Sequence, residues 1–330
     1  MVVDRMAALI AASGATTALV VRLDQALAPW RKALGAGAPM ARSLLTPGGA
    51  PLELTLRSGA TGGAGQVAFT VEPALADAPL PHKWQRLCAL APEAADRFPP
   101  LAKTLRQADG QRFGCWLGLR ESGAKVYQEV APAARPATLA AMADDWPHLA
   151  SSIGLVPQLV GFSSGSREYY AHWPRADAAA LHRLLSALGH GATYPLVVDM
   201  LCWLSGSSAD DGWASLRSGV SLTRSEDGGT VVSLYWHGRS LFGSPDLSPS
   251  TLSYRRLHDV AGHMGGLDAL APLCAAAEAH GLPLYCGMVG VMLRPGQPPL
   301  LTLGIAPVLG HEMQRFPQAH RHPRAKGLTS

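Results

Sequence analysis

The sequence is short of charge, since only 16% of its 330 residues are charged and the formal net charge is +4. It has no dense run of lysine and arginine of the kind that nucleic-acid-binding proteins carry, so we expect no nucleic-acid partner. Apart from residues 6–21, it has no apolar run near the roughly 20 residues of a membrane span, so we expect no membrane partner. The mild positive charge fits an anionic small ligand.

Cysteine is scarce, and its five positions show no CxxC pair and no Cys/His spacing that predicts a zinc site. An odd, scattered set is typical of reduced thiols in a core rather than of a disulfide framework, so we predict a cytoplasmic protein. The cysteines are Cys88, Cys115, Cys202, Cys274 and Cys286.

An apolar run, residues 6–21, lies near the start of the sequence. Asp4 stands beside Arg5 in what would be the basic region of a signal peptide. The run also continues directly into residues 22–30, which have helical character. We therefore predict folded helix here, not a cleaved leader.

Five stretches of strand-like sequence surround turns rich in glycine and serine, which predicts five β-hairpins. The predicted hairpins are residues 52–73, 113–130, 157–173, 219–238 and 285–307. The segments that precede or separate them have helical length and periodicity. The predicted helical segments are residues 15–36, 82–108, 136–153, 175–204 and 249–281, the last with an N-cap at Ser248-Pro249 and a stop at Gly281.

The order helix then hairpin occurs five times, which indicates an internal repeat of architecture. Ten antiparallel strands are expected to close into a barrel with helices outside, because closure removes exposed sheet edges. In residues 52–57 the leucines share one strand face and the polar residues share the other. The leucine face should meet the helices, which leaves a polar lumen for a ligand. We predict an α+β fold with one barrel domain at 1–310 and a polar tail at 311–330.

The second strands of three predicted hairpins each carry a polar residue, a spacer and a tyrosine: Lys125-Val-Tyr127, Arg167-Glu-Tyr169 and Ser233-Leu-Tyr235. Residues i and i+2 of a strand face the same side, so each pair is predicted to point one way. Repeated around a closed sheet, the pairs would line the lumen with cations and phenols. Such a lining suits a diphosphate whose departure leaves a carbocation behind.

The five repeats resemble the layout of the ABBA-fold prenyltransferases, also called PT barrels. Residues 51–57 (PLELTLR) and 66–73 (QVAFTVEP) resemble the glutamate strand and the following Glu-Pro strand of the dimethylallyltryptophan synthase family. Residues 124–130 (AKVYQEV) and 166–173 (SREYYAHW) resemble its diphosphate strands. The resemblance extends over about residues 15–307.

The resemblance implies an aromatic prenyltransferase of secondary metabolism. It would transfer a dimethylallyl or geranyl group from the diphosphate to an indole-like or other electron-rich aromatic ring, by electrophilic substitution. A tailoring enzyme that acts on a peptide is the alternative within this class. The predicted binding residues for the prenyl diphosphate are Arg57, Lys125, Tyr127, Arg167, Tyr169, Ser233 and Tyr235.

Two strands depart from the family's pattern. Ala68 or Gln66 stands where the family usually has an arginine, and Thr302-Leu-Gly304 stands where a tyrosine is expected. Arg57 ends the strand that pairs with residues 66–73, so we predict that it reaches the same space. Three further arginines also end first strands beside turns, where solvation explains them as well as phosphate binding does: Arg120, Arg224 and Arg294.

Glu53 is the candidate catalytic base. A carboxylate in a mostly apolar lumen should have a raised pKa and can accept a proton from an indole N–H or a phenol. By resemblance, the corresponding glutamate contacts the indole nitrogen in the tryptophan prenyltransferases; half of a core ion pair is the alternative role. Thr55 shares its strand face, and Trp116, Phe162 and Trp236 are predicted to complete the acceptor pocket.

Metal-dependent isoprenoid synthases use aspartate-rich clusters of the DDxxD type. The aspartate pairs at 144–145 and 210–211 lack the third ligand at that spacing, so we predict no metal, no cofactor and no requirement for magnesium. The histidines of the tail, His311, His320 and His322, have no partner cluster and are not predicted to bind metal.

Two alternative functions outside the prenyltransferases stay open. Gly161-Phe-Ser163-Ser-Gly165 fits the G-x-S-x-G elbow of serine hydrolases, with Ser163 as the nucleophile. The elbow needs a strand, a sharp turn and then a helix, whereas the residues that follow alternate like a strand. A barrel that binds a prenyl diphosphate without turning it over is the second alternative.

Overall fold

The structure, a computed structural model, describes part of the chain. The described residues are 2–35, 43–59, 65–95, 100–142, 146–164, 166–206, 213, 216–224, 228–264 and 266–309. The predicted polar tail at 311–330 lies outside these residues.

Within the described residues, ten strands form five antiparallel hairpins, and each agrees with a predicted hairpin to within two residues. The predicted hairpins are therefore confirmed. The strands are β1 (Leu52–Arg57), β2 (Gln66–Val71), β3 (Cys115–Arg120), β4 (Gly123–Glu129), β5 (Val156–Phe162), β6 (Arg167–Trp173), β7 (Ser218–Arg224), β8 (Thr230–His237), β9 (Leu284–Leu293) and β10 (Leu300–Pro307).

The ten strands pair antiparallel all the way round, so the sheet closes into a barrel. Closure joins β1 to β10, where Leu54 lies opposite Ile305 and Arg57 lies opposite Thr302. The predicted barrel is thus confirmed. All odd strands run in one direction, so the five hairpin turns lie at one end of the barrel, which we call the hairpin end. We call the opposite end, where strands lead to and from helices, the helix end.

The helices precede the first hairpin and connect the others. Those among the described residues are α1 (Val2–Ala12), α2 (Thr17–Gly35), α3 (Leu80–Leu90), α4 (Pro92–Ala95), α5 (Pro100–Gln107), α6 (Arg135–Ala140), α7 (Trp146–Ser152), α8 (Ala178–Ala187), α9 (Tyr194–Ser205), α10 (Gly238–Phe242), α11 (Leu252–Met264) and α12 (Leu270–Ala279). In this part of the chain, no helix combines the length and apolarity needed to cross a bilayer.

Several predicted helical segments are broken into shorter helices. Pro92 and Pro100 each begin a new helix inside the segment predicted at 82–108, because proline fits only the first turn. The prediction that a helix begins at Pro249 is wrong, since α11 begins at Leu252. The hydroxyl of Thr251 accepts the N–H of Tyr254 at 3.3 Å, a capping contact that fixes the later start.

The apolar core lies between the barrel wall and the helices. Leu52, Leu54 and Leu56 of β1 are at most 2% exposed and belong to one core cluster with Leu23 and Leu27 of α2. Outward-facing apolar residues of the other strands join the same cluster. This burial offsets the entropy of ordering the chain and turns the alternate, more polar residues toward the lumen.

A buried ion pair joins the end of β2 to α3. Lys83 Nζ lies 2.9 Å from Glu72 Oε1, and the two side chains are 1% and 0% exposed. The hydroxyl of Ser43 donates to Glu72 Oε2 at 2.6 Å. Since the pair is almost fully removed from water, either charge would be strongly destabilising without its partner.

We expect Lys83→Met to lower the free energy of unfolding by about 3–5 kcal/mol, because the Glu72 carboxylate is left buried and unpaired. Urea unfolding followed by circular dichroism measures the change. Lys103→Met is the matched control, since Lys103 is exposed on α5 and should cost less than about 0.5 kcal/mol. Adding Glu72→Gln to Lys83→Met should restore part of the loss; no recovery would show that Lys83 acts mainly through packing.

Candidate active site

The lumen face of β1 carries Glu53, Thr55 and Arg57, which alternate with the buried leucines. At about 3.3 Å per residue along a strand, Glu53 and Arg57 lie about 13 Å apart. Glu53 is near the helix end and Arg57 is at the hairpin end. The lumen therefore has a carboxylate toward one end and a guanidinium at the other.

The Lys125 and Tyr127 pair faces the lumen, as predicted. Lys125 Nζ lies 5.8 Å from the centre of the Tyr127 ring and 6.0 Å from that of Tyr170. Gly118, opposite on β3, leaves room for this arrangement, since a Cβ there would lie 2.8 Å from the Tyr127 ring. An ammonium group and two aromatic rings thus share one part of the lumen.

On β6 the prediction chose the wrong face. Tyr169 points outward, where its hydroxyl donates to the carbonyl of Ala141 and its ring meets Trp146 edge-on at 6.3 Å. Arg167 lies on the same outer face and is exposed. Neither lines the lumen, so their predicted contact with a diphosphate there is not supported.

The lumen face of β6 carries Glu168 and Tyr170, which the prediction did not select. Lys125 donates to Glu168 Oε2, and the hydroxyl of Ser221 on β7 donates to Oε1 at 2.5 Å. Desolvation raises the pKa of Glu168, but the charge of Lys125 and the hydrogen bonds from Lys125 and Ser221 outweigh it and lower that pKa to about 2. Glu168 is thus an ionised carboxylate inside the barrel. If the sequence analysis had assigned the opposite face of β6 to the lumen, it would have identified Glu168.

Two of the three predicted aromatic walls also face outward. Phe162 and Trp236 are 4% and 3% exposed and belong to the core cluster between wall and helices. Phe162 pairs with Val126, an outward residue of β4. Their assignment to the acceptor pocket is therefore wrong. Trp116 does lie on the lumen face, opposite Tyr127, and stacks on Phe113 with ring centres 4.0 Å apart.

Ser233 and Tyr235 of β8 face the lumen, as predicted. The Tyr235 ring lies over Gly219 of β7, where a Cβ would approach it to 2.3 Å, so this position requires glycine. The Tyr235 hydroxyl donates to the carbonyl of Ala171 at 3.3 Å. Desolvation raises the pKa of Tyr235, so the phenol stays protonated and can donate a hydrogen bond.

Arginines collect at the hairpin end. Desolvation, followed by the charges of Arg120 and Arg294, lowers the pKa of Arg57 to about 10. Arg57 donates to Gln66 Oε1 at 3.2 Å. Arg120 is the last residue of β3 on the lumen side, and its guanidinium contacts the hydroxyl of Tyr127. Mutual repulsion among cations that stay charged at neutral pH marks this end as a place for an anion.

Sequence reasoning gave Arg120 and Arg224 equal weight, and the structure separates them. The Arg224 guanidinium lies on the outer face, 5.5 Å from the centre of the Trp146 ring. Arg120 lies on the lumen side with Tyr127. The alternation of strand residues could have separated the two arginines. Arg120 is on the same strand face as Gly118, which lies opposite the lumen residue Lys125. Arg224 is on the same strand face as the buried residues Val220 and Leu222.

Glu53 is enclosed by two strands that carry glycine beside it. A Cβ on Gly304 of β10 would lie 3.1 Å from Glu53 Cδ, and one on Gly287 of β9 would lie 3.2 Å from Oε2. Desolvation inside the barrel raises the pKa of Glu53 to about 7. The carboxylate can therefore gain or lose a proton near neutral pH, the property required of a general base.

Comparison with solved structures identifies the architecture. The 5-dimethylallyl tryptophan synthase from Streptomyces coelicolor, in complex with DMASPP and Trp, aligns with a TM-score of 0.68 at 18% identity, over 97% of each chain. The chain has the ABBA fold. The 6-dimethylallyltryptophan synthase from Micromonospora olivasterospora, also with DMASPP and Trp, gives a TM-score of 0.69 at 18% identity, over 91% of this chain and 94% of that one. AnaPT from Neosartorya fischeri gives 0.53 at 12% identity, over 79% of each chain.

The chain matches no protein-family model and no curated protein. At these identities the similarity to solved structures lies in the fold, and the chemistry must be argued from the lumen residues of this ABBA barrel.

The nucleophile elbow suggested by residues 161–165 is not formed. Ser163 and Ser166 lie in the turn between β5 and β6, where their hydroxyls are 2.8 Å apart. The segment joins two antiparallel strands, whereas the elbow requires a strand followed by a helix. This feature therefore belongs to the hairpin end of the ABBA barrel.

Among the described residues, no group of three or more His, Cys, Asp or Glu side chains is placed to hold a metal ion. The aspartate pairs at 144–145 and 210–211 lie outside the described residues, as do His311, His320 and His322. The predicted independence of magnesium remains a prediction.

Proposed function

We propose that this chain is an aromatic prenyltransferase. It transfers a dimethylallyl or geranyl group from its diphosphate to a tryptophan-like or other electron-rich aromatic acceptor. The observation that carries the proposal is the division of one closed lumen into two parts. Arginines occupy the hairpin end, and Glu53, with its pKa raised to about 7, lies toward the helix end.

The hairpin end suits the leaving group. The guanidinium groups of Arg57 and Arg120 offer charge-assisted hydrogen bonds to phosphate oxygens, which are roughly twice as strong as neutral ones. When the bond between the allylic carbon and the diphosphate oxygen breaks, the electron pair leaves with the diphosphate. Positive charge placed there in advance stabilises the developing anion without reorganisation.

The middle of the lumen suits the prenyl cation. The rings of Tyr127, Tyr170 and Tyr235 face the lumen, where Tyr127 meets Tyr170 edge-on with ring centres 5.6 Å apart, and an aromatic face stabilises a desolvated cation by about 2 kcal/mol. The barrel wall excludes water, which would otherwise convert the cation to an alcohol. The structures similar to this chain that contain both DMASPP and Trp support the same pairing of donor and acceptor.

The Glu53 side of the lumen suits the acceptor. A ring carbon of the acceptor attacks the allylic carbon, a carbon–carbon bond forms, and the ring carbon then loses its proton to the ionised Glu53 carboxylate. Glu53 orients the acceptor and accepts its N–H or O–H, which increases electron density in the ring. Trp116 supplies the aromatic wall on this side of the lumen. Its indole nitrogen is buried and has no hydrogen-bond partner among the described residues.

The direct test is incubation with dimethylallyl or geranyl diphosphate and a panel of acceptors, analysed by mass spectrometry. The panel contains tryptophan, indole, tyrosine, a naphthol and a short tryptophan-containing peptide. We expect a product that carries one prenyl group on an aromatic small molecule. Product on the peptide alone would favour the peptide-tailoring alternative. Donor binding without any product would favour the binding barrel, and labelling of Ser163 by a fluorophosphonate would favour a hydrolase.

Chelation tests the role of metal. We expect EDTA to leave the rate of prenyl transfer largely unchanged, because the fixed guanidinium groups of the hairpin end already neutralise the leaving diphosphate. Initial rates with and without EDTA measure this, and calcium-saturated EDTA is the control for unspecific inhibition. Complete loss of activity that magnesium restores would contradict the expectation.

A further inference from the structure

Glu168 and Lys125 neutralise each other inside the lumen. Lys125 Nζ donates to Glu168 Oε2, and the two side chains are only 5% and 12% exposed. Ser221 holds the other carboxylate oxygen at 2.5 Å. The pair therefore links β4, β6 and β7 across the lumen wall, and the charge of Lys125 is already matched before a ligand enters.

The positive charge left for an anion lies elsewhere at the same end. Arg57 is close enough to Arg120 and Arg294 for both to lower its pKa. These three residues, which we call the arginine cluster, lie at the ends of first strands or just beyond them. Arg120 and Arg57 are also near enough to Glu168 to feel its charge. An incoming diphosphate thus meets an excess of positive charge at the arginine cluster and a carboxylate just inside it.

We propose that Glu168 determines which anion this lumen accepts and where the anion binds. Glu168 neutralises Lys125 and repels the diphosphate from the interior of the lumen. The anion therefore binds at the arginine cluster. The inference rests on the proposed function, since it concerns the leaving group of the same prenyl donor. Glu168 is a specificity-determining residue for the donor and takes no part in bond breaking.

The repulsion has a consequence for selectivity. Coulomb energy grows with the charge of the ligand, so a carboxylate near the site opposes diphosphate more than it opposes phosphate. Removing the Glu168 charge while keeping its shape should therefore tighten binding of both anions, and of diphosphate most. Loss of structure does not tighten binding, so this change separates an electrostatic role from a structural one.

Titration calorimetry with inorganic diphosphate and inorganic phosphate tests the proposal on the full chain. We expect Glu168→Gln to bind diphosphate at least about tenfold more tightly than the unmodified chain, with a smaller gain for phosphate. Lys125→Gln should bind diphosphate about tenfold more weakly, because the Glu168 charge is then unopposed. The diphosphate affinity of the double variant should return to within about threefold of that of the unmodified chain, since two uncharged amides replace an ion pair that has no net charge.

Ser221→Ala is the matched control, because it removes one hydrogen bond to the same carboxylate and leaves its charge in place. We expect it to change diphosphate affinity by less than about threefold. Thermal unfolding by circular dichroism confirms that each variant is folded.

Unchanged or weaker diphosphate binding by Glu168→Gln overturns the inference, as does a double variant as weak as Lys125→Gln. If prenyl transfer occurs and these affinities do not shift, the inference fails and the proposed function stands. If the affinities shift as expected and no acceptor is prenylated, the proposed function fails and Glu168 remains an anion-selecting residue. If neither the unmodified chain nor Glu168→Gln binds diphosphate, both fail.

Discussion

Glu53→Gln should reduce the rate of prenyl transfer by about 10²–10⁴, the range for a positioned general base. Glutamine keeps the size of the side chain and its place between Gly287 and Gly304, but it cannot accept the acceptor's proton as a carboxylate can. Binding of the prenyl diphosphate should change little, because the arginine cluster lies about 13 Å away along the barrel. Single-turnover rates and titration with diphosphate measure the two effects separately.

The pH dependence supplies a second measurement. The folded pKa of Glu53 is about 7, above its usual 4.5, so the folded state favours the protonated form. Its contribution to stability is present below about pH 4.5 and is lost as the pH rises to about 7, by up to about 3 kcal/mol. The rate should rise over the upper part of this window as the base becomes ionised. Glu53→Gln should remove both trends.

Thr55→Val is the matched control for Glu53→Gln. It changes a polar lumen residue two positions along the same strand face and leaves the carboxylate in place. If Glu53→Gln abolishes diphosphate binding or unfolds the chain, Glu53 is a structural residue. A rate that does not vary between pH 5 and 8 would likewise contradict its assignment as the base.

The barrel was predictable because its features are local. Each hairpin combines strand-like residues with a turn of glycine and serine, and the even spacing of five such units leaves closure as the way to remove edges. On β1 the leucines are separated by polar residues, so the face of Glu53 and Arg57 follows from the sequence. Local sequence was sufficient wherever a strand alternated without ambiguity.

The site residues that were missed lie where alternation is ambiguous. Tyr169 and Tyr170 are adjacent, so β6 offers a tyrosine to both faces, and the choice of phase decides between Arg167 and Glu168. Aromatic residues such as Phe162 and Trp236 fit an outer core as well as a binding chamber, because both places are apolar. The pairing of Lys125 with Glu168 joins residues 43 positions apart, which only the folded barrel brings together.

Whether an arginine faces the lumen or the outside of the barrel decides the second large expected effect, a loss of prenyl transfer. Arg120→Gln should lower the rate of prenyl transfer by about 10²–10³, the usual loss when one preorganised donor to a developing anion is removed. Arg120 lies on the lumen side with Tyr127 and adds to the arginine cluster at the hairpin end. Because it acts on the leaving group, diphosphate affinity should fall as well, and more so at low ionic strength.

Arg167→Gln is the control that makes this expectation specific, because it removes the same charge from the same end of the barrel. Arg167 lies on the outer face with Tyr169 and is exposed. The rate of prenyl transfer by Arg167→Gln should therefore stay within about threefold of that of the unmodified chain. Steady-state rates for the two variants, at equal protein stability, decide the matter. Equal losses would mean that net charge near the hairpin end matters more than lumen geometry. A larger loss for Arg167→Gln would place the diphosphate outside the lumen and contradict the site assigned to Arg120.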